Sequence, residues 1–321
     1  MIFCSEEVFV SSIKKFYSKF VAGEKMTMSA CPEIGVLEEL LQLLNLEQID
    51  ENAFRGQSQD FGFGNVYGGL VLGQALSAAC RTVPPERPVH SMHAYFLRQG
   101  DIHEPIVYQV DPIRDGRSFT TRRVVAVQKG RAIFNMAASF QIDEPGFEHQ
   151  DQAPSVPGPE GLAPEIEIVR EIAHRVPAPI WERLQCPQPI EVRPVEPTNL
   201  FSPEKREPVR HQWFKTIGNI PDDPAIHQYL LAYASDYGFM PTSLYPHGRS
   251  LLEPGMQVAS LDHAMWFHRP FRVDDWLLYE VQSPNASRAR GLAIGKIFDR
   301  RGVLVATVAQ EGLIRFLGDE A

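Results

Sequence analysis

The sequence predicts an α+β fold of two similar halves, each consisting of a helix followed by an antiparallel meander of strands. First, 13 of the 26 prolines fall between residues 145 and 208, which suits a long connection better than a sheet interior. Second, three apolar segments recur in the same order at an offset of roughly 170 residues. Third, a helix-permissive segment precedes several β-rich runs in each half. These features predict two repeats rather than a doubly wound parallel sheet.

The recurring segments define the predicted domains. Each match is weak alone, because apolar strands resemble one another, but their shared order argues for an internal duplication. Residues 93–96 (HAYF) correspond to 263–266 (HAMW), 106–110 (IVYQV) to 277–281 (LLYEV), and 133–138 (IFNMAA) to 303–308 (VLVATV). We therefore expect an N-terminal extension over residues 1–36, a first domain over 37–145, a proline-rich linker over 146–210 and a second domain over 211–321.

The predicted elements follow one order in both halves. In the first half a helix is expected at residues 68–81, with strands at 90–97, 105–110, 120–128 and 132–141. In the second half Pro224 suits a first helical position after Asp222 or Asp223, so the helix covers residues 224–236. Its strands are expected at 256–267, 276–282, 291–298 and 303–313. The linker holds one further helix candidate, at 164–175.

Composition excludes several classes of function. The formal net charge is −9 and no block rich in lysine and arginine occurs, which argues against nucleic-acid binding. The cysteines at positions 4, 31, 80 and 186 lack CxxC spacing, so neither a zinc ribbon nor a disulfide scaffold is expected. No apolar run approaches the roughly 18 residues of a membrane span. Without a signal-peptide pattern or a C-terminal SKL signal, a cytoplasmic protein is expected.

Asp236 is the first candidate for chemistry, because it falls on the apolar face of the helix predicted at 224–236. A carboxylate directed at a core needs hydrogen-bond donors or a raised pKa, and such groups serve as general bases. The alternative is an exposed aspartate at a helix end before Gly238. The apolar stripe comprises Ile226, Tyr229, Leu230, Tyr233 and Ala234.

Gln310 is the second candidate, because it continues the strand face that carries Ala306 and Val308. A buried amide needs hydrogen-bond partners for its oxygen and its nitrogen. The alternative is that the strand reaches solvent at this residue. The corresponding residue of the first half is Phe140, so a duplication would leave the polar group in the second copy alone, as expected for a single retained active site.

Ser260 is the third candidate, and it lies close to Asp262 and His263 in sequence. These three cannot form a local hydrolase triad, because on a regular strand Ser260 and Asp262 share one face while His263 points to the other. The sequence also lacks a GxSxG elbow. The Ser260 hydroxyl could instead position a water molecule, or it could be an ordinary core or turn serine.

Two other patterns do not support a cofactor. The glycine-rich stretch 62–69 misses GxGxxG spacing by one residue and lacks a surrounding βαβ unit. Its glycines at a helix start could still present backbone N–H groups to a carbonyl oxygen or an oxyanion. The ten histidines show no HExxH motif, and His263 and His268 face opposite ways on one strand-like run, so no metal is expected.

Nine short segments, spread in order over most of the chain, carry a resemblance to a known family. They are 54–57 (FRGQ), 66–69 (VYGG), 73–75 (GQA), 90–91 (HS), 95–98 (YFLR), 114–116 (RDG), 234–236 (ASD), 261–263 (LDH) and 265–270 (MWFHRP). In these segments the sequence resembles the acyl-CoA thioesterase II family. The resemblance implies a double hotdog fold, with each helix wrapped by its sheet, and a homo-oligomer.

The same resemblance implies hydrolysis of fatty acyl-CoA to free fatty acid and coenzyme A, without a metal or a cofactor. Carried over position by position, it assigns the catalytic Asp, Thr and Gln of the family to Asp236, Ser260 and Gln310. The chain departs from the pattern at Ser260, which keeps the hydroxyl and loses the methyl group of threonine. The departure bears on rate more than on reaction type.

Two alternatives remain open at this point. An acyl-CoA hydratase or dehydratase is possible because one fold hosts several chemistries, although it would need a His/Asp pair. A non-catalytic acyl-CoA-binding module is the other alternative. The favoured hypothesis is that Asp236 acts as a general base on a water held by Ser260 and Gln310.

Overall fold

A 13-stranded sheet organises the chain, and all the strand pairs described are antiparallel. The computed structural model describes residues 35–58, 64–171, 187–199, 202–253 and 255–318, which belong to one compact unit. Residues 1–34 of the predicted N-terminal extension lie outside the described residues, as do Cys4, Cys31 and Cys186.

In each half, a long helix is followed by a meander of antiparallel strands, in the predicted order. The helices are α1 (Val36–Leu44), α2 (Gly68–Cys80), α3 (Glu165–Glu171) and α4 (Pro224–Ser235), with 3₁₀ turns at Pro159–Gly161 and Met240–His247. The strands are β1 (Glu47–Asp50), β2 (Ala53–Gly56), β3 (Val89–Phe96), β4 (Ile106–Asp115), β5 (Phe119–Gln128), β6 (Arg131–Gln141), β7 (Ile190–Pro194), β8 (Val209–Thr216), β9 (Met256–Ser260), β10 (Asp262–Phe267), β11 (Leu277–Ser287), β12 (Arg290–Asp299) and β13 (Leu304–Phe316).

Strand order shows how the two halves join. The order across the sheet is β1-β2-β4-β5-β6-β3-β10-β13-β12-β11-β8-β7, with β9 also paired to β13. The junction is therefore β3 against β10, where Met92 lies opposite Met265 and Ala94 opposite His263. These strands contain the segments 93–96 and 263–266 that correspond in sequence. Equivalent edges of the two repeats thus meet in one continuous sheet.

Helices α2 and α4 pack against each other through glycines of α2. Nearly the whole of α2 is buried, as expected for a helix that is apolar on every side. A Cβ atom on Gly69 would lie 2.3 Å from the backbone oxygen of Tyr233, and one on Gly73 would lie 3.0 Å from the backbone oxygen of Tyr229. The sequence GGLVLG therefore allows the two helix backbones to approach closely.

Gly69→Ala is expected to lower the free energy of unfolding by about 1–3 kcal/mol, because its methyl group would overlap the backbone of α4. Chemical denaturation measures the effect. Gly161→Ala is the matched control, since a Cβ there meets nothing within 4 Å and the expected change is within about 0.5 kcal/mol. Equal stabilities of the two variants would contradict close packing at Gly69.

The predicted elements are present, most with boundaries within a few residues, but α1, β1, β2 and β8 were not predicted. Two further differences are informative. The predicted strand 256–267 is interrupted at Leu261 and forms β9 and β10. The predicted linker 146–210 contains α3 and also a strand, β7, which pairs with β8. Prolines near β7 hid it from the sequence pattern, yet it lies at the edge of the sheet, where a missing N–H is tolerated.

Candidate active site

Asp236 caps the C-terminus of α4 and faces the N-terminus of α2 from the first half. Its carboxylate accepts a hydrogen bond from the backbone N–H of Gly69. A Cβ on Gly68 would lie 2.8 Å from Oδ2 of Asp236, so this glycine also keeps the carboxylate unobstructed. The partial positive charge of a helix N-terminus favours a carboxylate at this place. The first half thus contributes directly to the surroundings of Asp236.

Gln310 of β13 connects the three side chains that the sequence singled out. The Nε2 group of Gln310 donates to Oδ1 of Asp236 at 3.1 Å and to Oγ of Ser260 at 2.5 Å. Gln310 is 1% exposed, so its amide depends on these protein partners. The structure therefore brings Asp236, Ser260 and Gln310 together around one amide nitrogen. The contact does not use the proton of the Ser260 hydroxyl, which is left for a water or a substrate oxygen.

A β-bulge at Leu261 directs Ser260 into this cluster. Ala264 pairs with Ala309 on β13, whereas Ser260 pairs with Gly312, so the β9–β10 segment contains one residue more than its partner. An extra residue reverses the alternation of side chains along a strand. Ser260 therefore shares the inner face with His263 rather than with Asp262, and the prediction from regular alternation was wrong for these residues.

His263 lies behind the amide of Gln310. Its Nδ1 is 3.0 Å from Oε1 of Gln310, and its Nε2 is 3.0 Å from Oγ of Ser235. The residue is 0% exposed, and burial lowers its pKa to about 4, so the ring is neutral at physiological pH. Sequence reasoning did not connect His263 or Ser235 with the site. The available signal was a polar residue alternating with Met265 and Phe267 on a buried strand face.

Comparisons with known proteins identify the chain. Residues 57–141 match the family described as acyl-CoA thioesterase N-terminal domain, and residues 182–313 match the family described as acyl-CoA thioesterase. Acyl-CoA thioesterase 2 of Haemophilus influenzae is 46% identical over 88% of this chain and 98% of its own length. The chain belongs to the acyl-CoA thioesterase family. Acyl-coenzyme A thioesterase 8 of Homo sapiens is 41% identical over 85% of this thioesterase and 88% of its own length.

Solved structures support the fold of the thioesterase. The crystal structure of acyl-CoA thioesterase II TesB2 from Mycobacterium marinum has a TM-score of 0.71 and 42% identity, covering 87% of this chain and 99% of its own. A protein with a hot dog fold from Alicyclobacillus acidocaldarius has a TM-score of 0.68 at 21% identity, covering 86% and 98%. The predicted α+β double hotdog fold is confirmed.

Among the acidic residues that the structure describes, burial raises the pKa of Asp236 and of Asp262, and the rise is large only at Asp236. Burial raises the pKa of Asp236 to about 6, while the hydrogen bonds from Gln310 and from the Gly69 N–H oppose the rise. The residue keeps partial exposure, so water or substrate can reach a carboxyl group whose surroundings otherwise disfavour its charge. Burial, and to a smaller extent the negative charge of Asp236, raises the pKa of Tyr67 and of Tyr279. A carboxylate with a pKa near 6 is suited to accept a proton at neutral pH.

The glycine-rich segment of the thioesterase lies only partly within the described residues. Gly62 and Phe63 lie outside the described residues, and the Gly69 N–H binds the carboxylate of Asp236.

The other sequence predictions concern metals, thiols and membrane spans. Across the described ranges, no three His, Cys, Asp or Glu side chains are grouped as metal ligands. Cys80 is a free thiol, and none of the described helices is long and apolar enough to cross a membrane.

Proposed function

We propose that this thioesterase hydrolyses fatty acyl-CoA by general-base catalysis, with Asp236 as the base and with Ser260 and Gln310 holding the attacking water. The observation that carries the proposal is the shared amide nitrogen of Gln310, which binds both Asp236 and Ser260. A water beside Nε2 of Gln310 is close to the Asp236 carboxylate, which accepts a proton from it, and to the Ser260 hydroxyl, which donates a hydrogen bond to it. Both groups are needed to aim a water at a thioester carbonyl.

The reaction follows from these contacts. Asp236 accepts a proton from the water as the water oxygen forms a bond to the carbonyl carbon of the thioester. Backbone or amide donors stabilise the oxyanion of the tetrahedral intermediate. The carbon–sulfur bond then breaks and the fatty acid is released. The coenzyme A thiolate takes up the proton held by Asp236, which returns Asp236 to its charged form. Because a thiolate is a good leaving group, no strong general acid is required.

A thiol-release assay with a panel of acyl-CoA esters of graded chain length tests the proposal. Release of one thiol for each fatty acid formed is the expected result. Hydration of an enoyl-CoA without thiol release would indicate a hydratase, and tight binding without turnover would indicate a binding module. The geometry of His263 argues against a hydratase, because both of its ring nitrogens already contact protein groups in the core.

The pH dependence of catalysis provides a second test. Only the charged form of Asp236 can accept a proton, so kcat/KM is expected to fall on the acid side with a midpoint near pH 6, the raised pKa of this carboxyl. Below the midpoint the rate falls about tenfold for each pH unit. Steady-state rates measured with circular dichroism at each pH separate this effect from unfolding. A midpoint near pH 4 would contradict the raised pKa.

Assembly and location are also proposals. We propose a homo-oligomer because Tyr95 of β3 is 57% exposed and Leu97, just after that strand, is 45% exposed at the junction of the two halves. Sedimentation velocity is expected to give a mass above 36.2 kDa, and a monomer would contradict the proposed homo-oligomer.

Two features of composition support the proposals on partners and location. The net charge of −9 argues against nucleic-acid binding, and the low number of cysteines supports a cytoplasmic location. Fractionation of cells tests the location.

A further inference from the structure

The buried histidine behind the active site forms a continuous chain of hydrogen bonds with catalytic groups. Ser235 is the last residue of α4 and directly precedes Asp236. His263 of β10 lies between Oγ of Ser235 and Oε1 of Gln310, at 3.0 Å from each. The amide of Gln310 then contacts Asp236 and Ser260 from its other end. This series of hydrogen bonds therefore begins at Ser235, the last residue of α4, and ends at Asp236, the residue that follows it.

The proton positions in this chain follow from the chemistry of its two ends. An ionised carboxylate only accepts hydrogen bonds, so Gln310 must direct its NH₂ group at Asp236 and its oxygen at His263. That oxygen needs a donor, so Nδ1 of His263 must carry the proton of the neutral ring. Nε2 then lacks a proton and lies as an acceptor 3.0 Å from Oγ of Ser235. The Ser235 hydroxyl donates to the backbone oxygen of Ala232 at 2.9 Å, so its single proton is shared between that oxygen and Nε2 of His263.

We propose that His263 and Ser235 are positioning residues that hold the amide of Gln310 in its catalytic orientation. The inference rests on the proposed roles of Asp236 and Gln310. An amide side chain can rotate by half a turn at little steric cost, because its two ends have nearly the same shape. A rotated Gln310 would place its oxygen against the carboxylate of Asp236 and would lose both donated hydrogen bonds. The Nδ1–H of His263 opposes that rotation by binding the oxygen.

A positioning role differs from a purely structural one in its effect on Asp236. The donated hydrogen bond from Gln310 holds the pKa of Asp236 below the value that burial alone would give. Loss of amide orientation should therefore raise that pKa further and move the acid limb of kcat/KM to higher pH. The other titratable groups facing Asp236 are Tyr67 and Tyr279, whose raised pKa values keep them neutral in this range. A general loss of stability would not move the limb.

Two substitutions of His263 by residues with an amide side chain distinguish a positioning role from a purely structural one. In His263→Asn the side-chain amide reaches the position of Nδ1 and can still donate to Gln310, whereas in His263→Gln it reaches the position of Nε2 and cannot. Loss of a group that orients a metal ligand typically costs roughly 10- to 100-fold in activity, and we take the same range for a group that orients Gln310. We expect such a fall in kcat for His263→Gln, with KM nearly unchanged and the acid limb shifted upward. His263→Asn should stay within a few-fold of the natural enzyme.

His227→Gln is the matched control. This histidine of α4 is 3% exposed, and its Nδ1 accepts the backbone N–H of Val273, so it resembles His263 in burial but not in its contacts. Its substitution should lower stability without moving the acid limb. Ser235→Ala supplies a second, milder variant, for which a few-fold fall in kcat and a smaller shift in the same direction are expected. Equal losses in His263→Asn and His263→Gln, or an unmoved acid limb in Ser235→Ala and His263→Gln, would overturn the proposal.

Nitrogen NMR of the unsubstituted protein tests the proton positions independently of activity. With ¹⁵N-labelled histidine, the resonances of His263 are assigned by their loss in His263→Asn. The expected result is a neutral ring with the proton on Nδ1 at pH 7. A proton on Nε2, or a charged ring, would overturn the positioning role even if Asp236 and Gln310 prove catalytic. Loss of activity in the Asp236 variant tests the catalytic assignment itself, so the two failures are distinguishable.

Discussion

Asp236→Asn is expected to lower kcat by roughly 10²–10⁴-fold, the usual contribution of a general base. Asparagine keeps the size of the side chain and can still accept a hydrogen bond from the Gly69 N–H, but it cannot take a proton from water. KM should change little, because the base acts on the water rather than on the acyl-CoA. Rates of thiol release under saturating substrate measure the effect.

The fold of Asp236→Asn should stay intact. Because the pKa of Asp236 is raised in the folded protein, folding disfavours its charged form, and a neutral asparagine avoids that cost at pH 7. The matched control is Asp262→Asn, since Asp262 also has a raised pKa from burial but directs its carboxylate to the backbone N–H of Glu311. A folded Asp236→Asn enzyme that is as active as the Asp262→Asn enzyme would exclude Asp236 as the base.

The predicted elements of the fold were accessible from sequence because each depends on a local pattern. An apolar run with glycines predicts the buried helix α2, and Pro224 after two aspartates predicts the start of α4, where Asp223 indeed accepts the N–H of Ala225. The strand β7 was not accessible in the same way. Its pairing with β8 depends on a partner more than a dozen residues away, and local proline content argues against it.

The site was partly accessible from sequence, because a polar residue on an apolar face indicates a buried polar group but not its partners. Asp236 and Gln310 each showed this signal, and the structure joins them across 74 residues of chain. The bulge at Leu261 left no comparable signal, since one extra residue in a strand changes no periodicity long enough to detect. The position of Ser260 beside Gln310 depends on that bulge, and regular alternation would have directed it away.

The two halves contribute differently to one site. The first half supplies the helix N-terminus at Gly69, which binds the carboxylate of Asp236. When Tyr108 is aligned with Tyr279, the strand registers place Ala138, a core residue that is 1% exposed, at the position of Gln310. The described contacts thus give one amide, one carboxylate and one hydroxyl from the second half, completed by backbone from the first. Close packing of α2 on α4 is therefore expected to affect catalysis as well as stability.

Gln310→Met is expected to lower kcat by roughly 10²–10³-fold, comparable to the loss of an amide donor in other hydrolytic sites. Methionine has nearly the same length and shape, so the inner face of β13 should remain filled. The substitution removes the hydrogen bonds to Asp236 and Ser260 at once, so the water loses Gln310 as a partner and Ser260 loses the amide that holds it. The carboxylate also loses a hydrogen bond that opposes the effect of burial, so the acid limb of kcat/KM should move above pH 6.

Gln128→Met is the control for loss of a buried amide at another place in the fold. Gln128 is 5% exposed, and its amide binds the backbone of Asp101 and Glu104 in the first half. Its substitution should lower stability, because those backbone groups lose their partners, while the acid limb stays near pH 6. A shift of the limb in Gln310→Met but not in Gln128→Met would tie the change to the hydrogen bond with Asp236. If the acid limb of kcat/KM is unchanged in both variants, the amide of Gln310 does not influence the pKa of Asp236. The proposed joint role of Asp236, Ser260 and Gln310 would then be wrong.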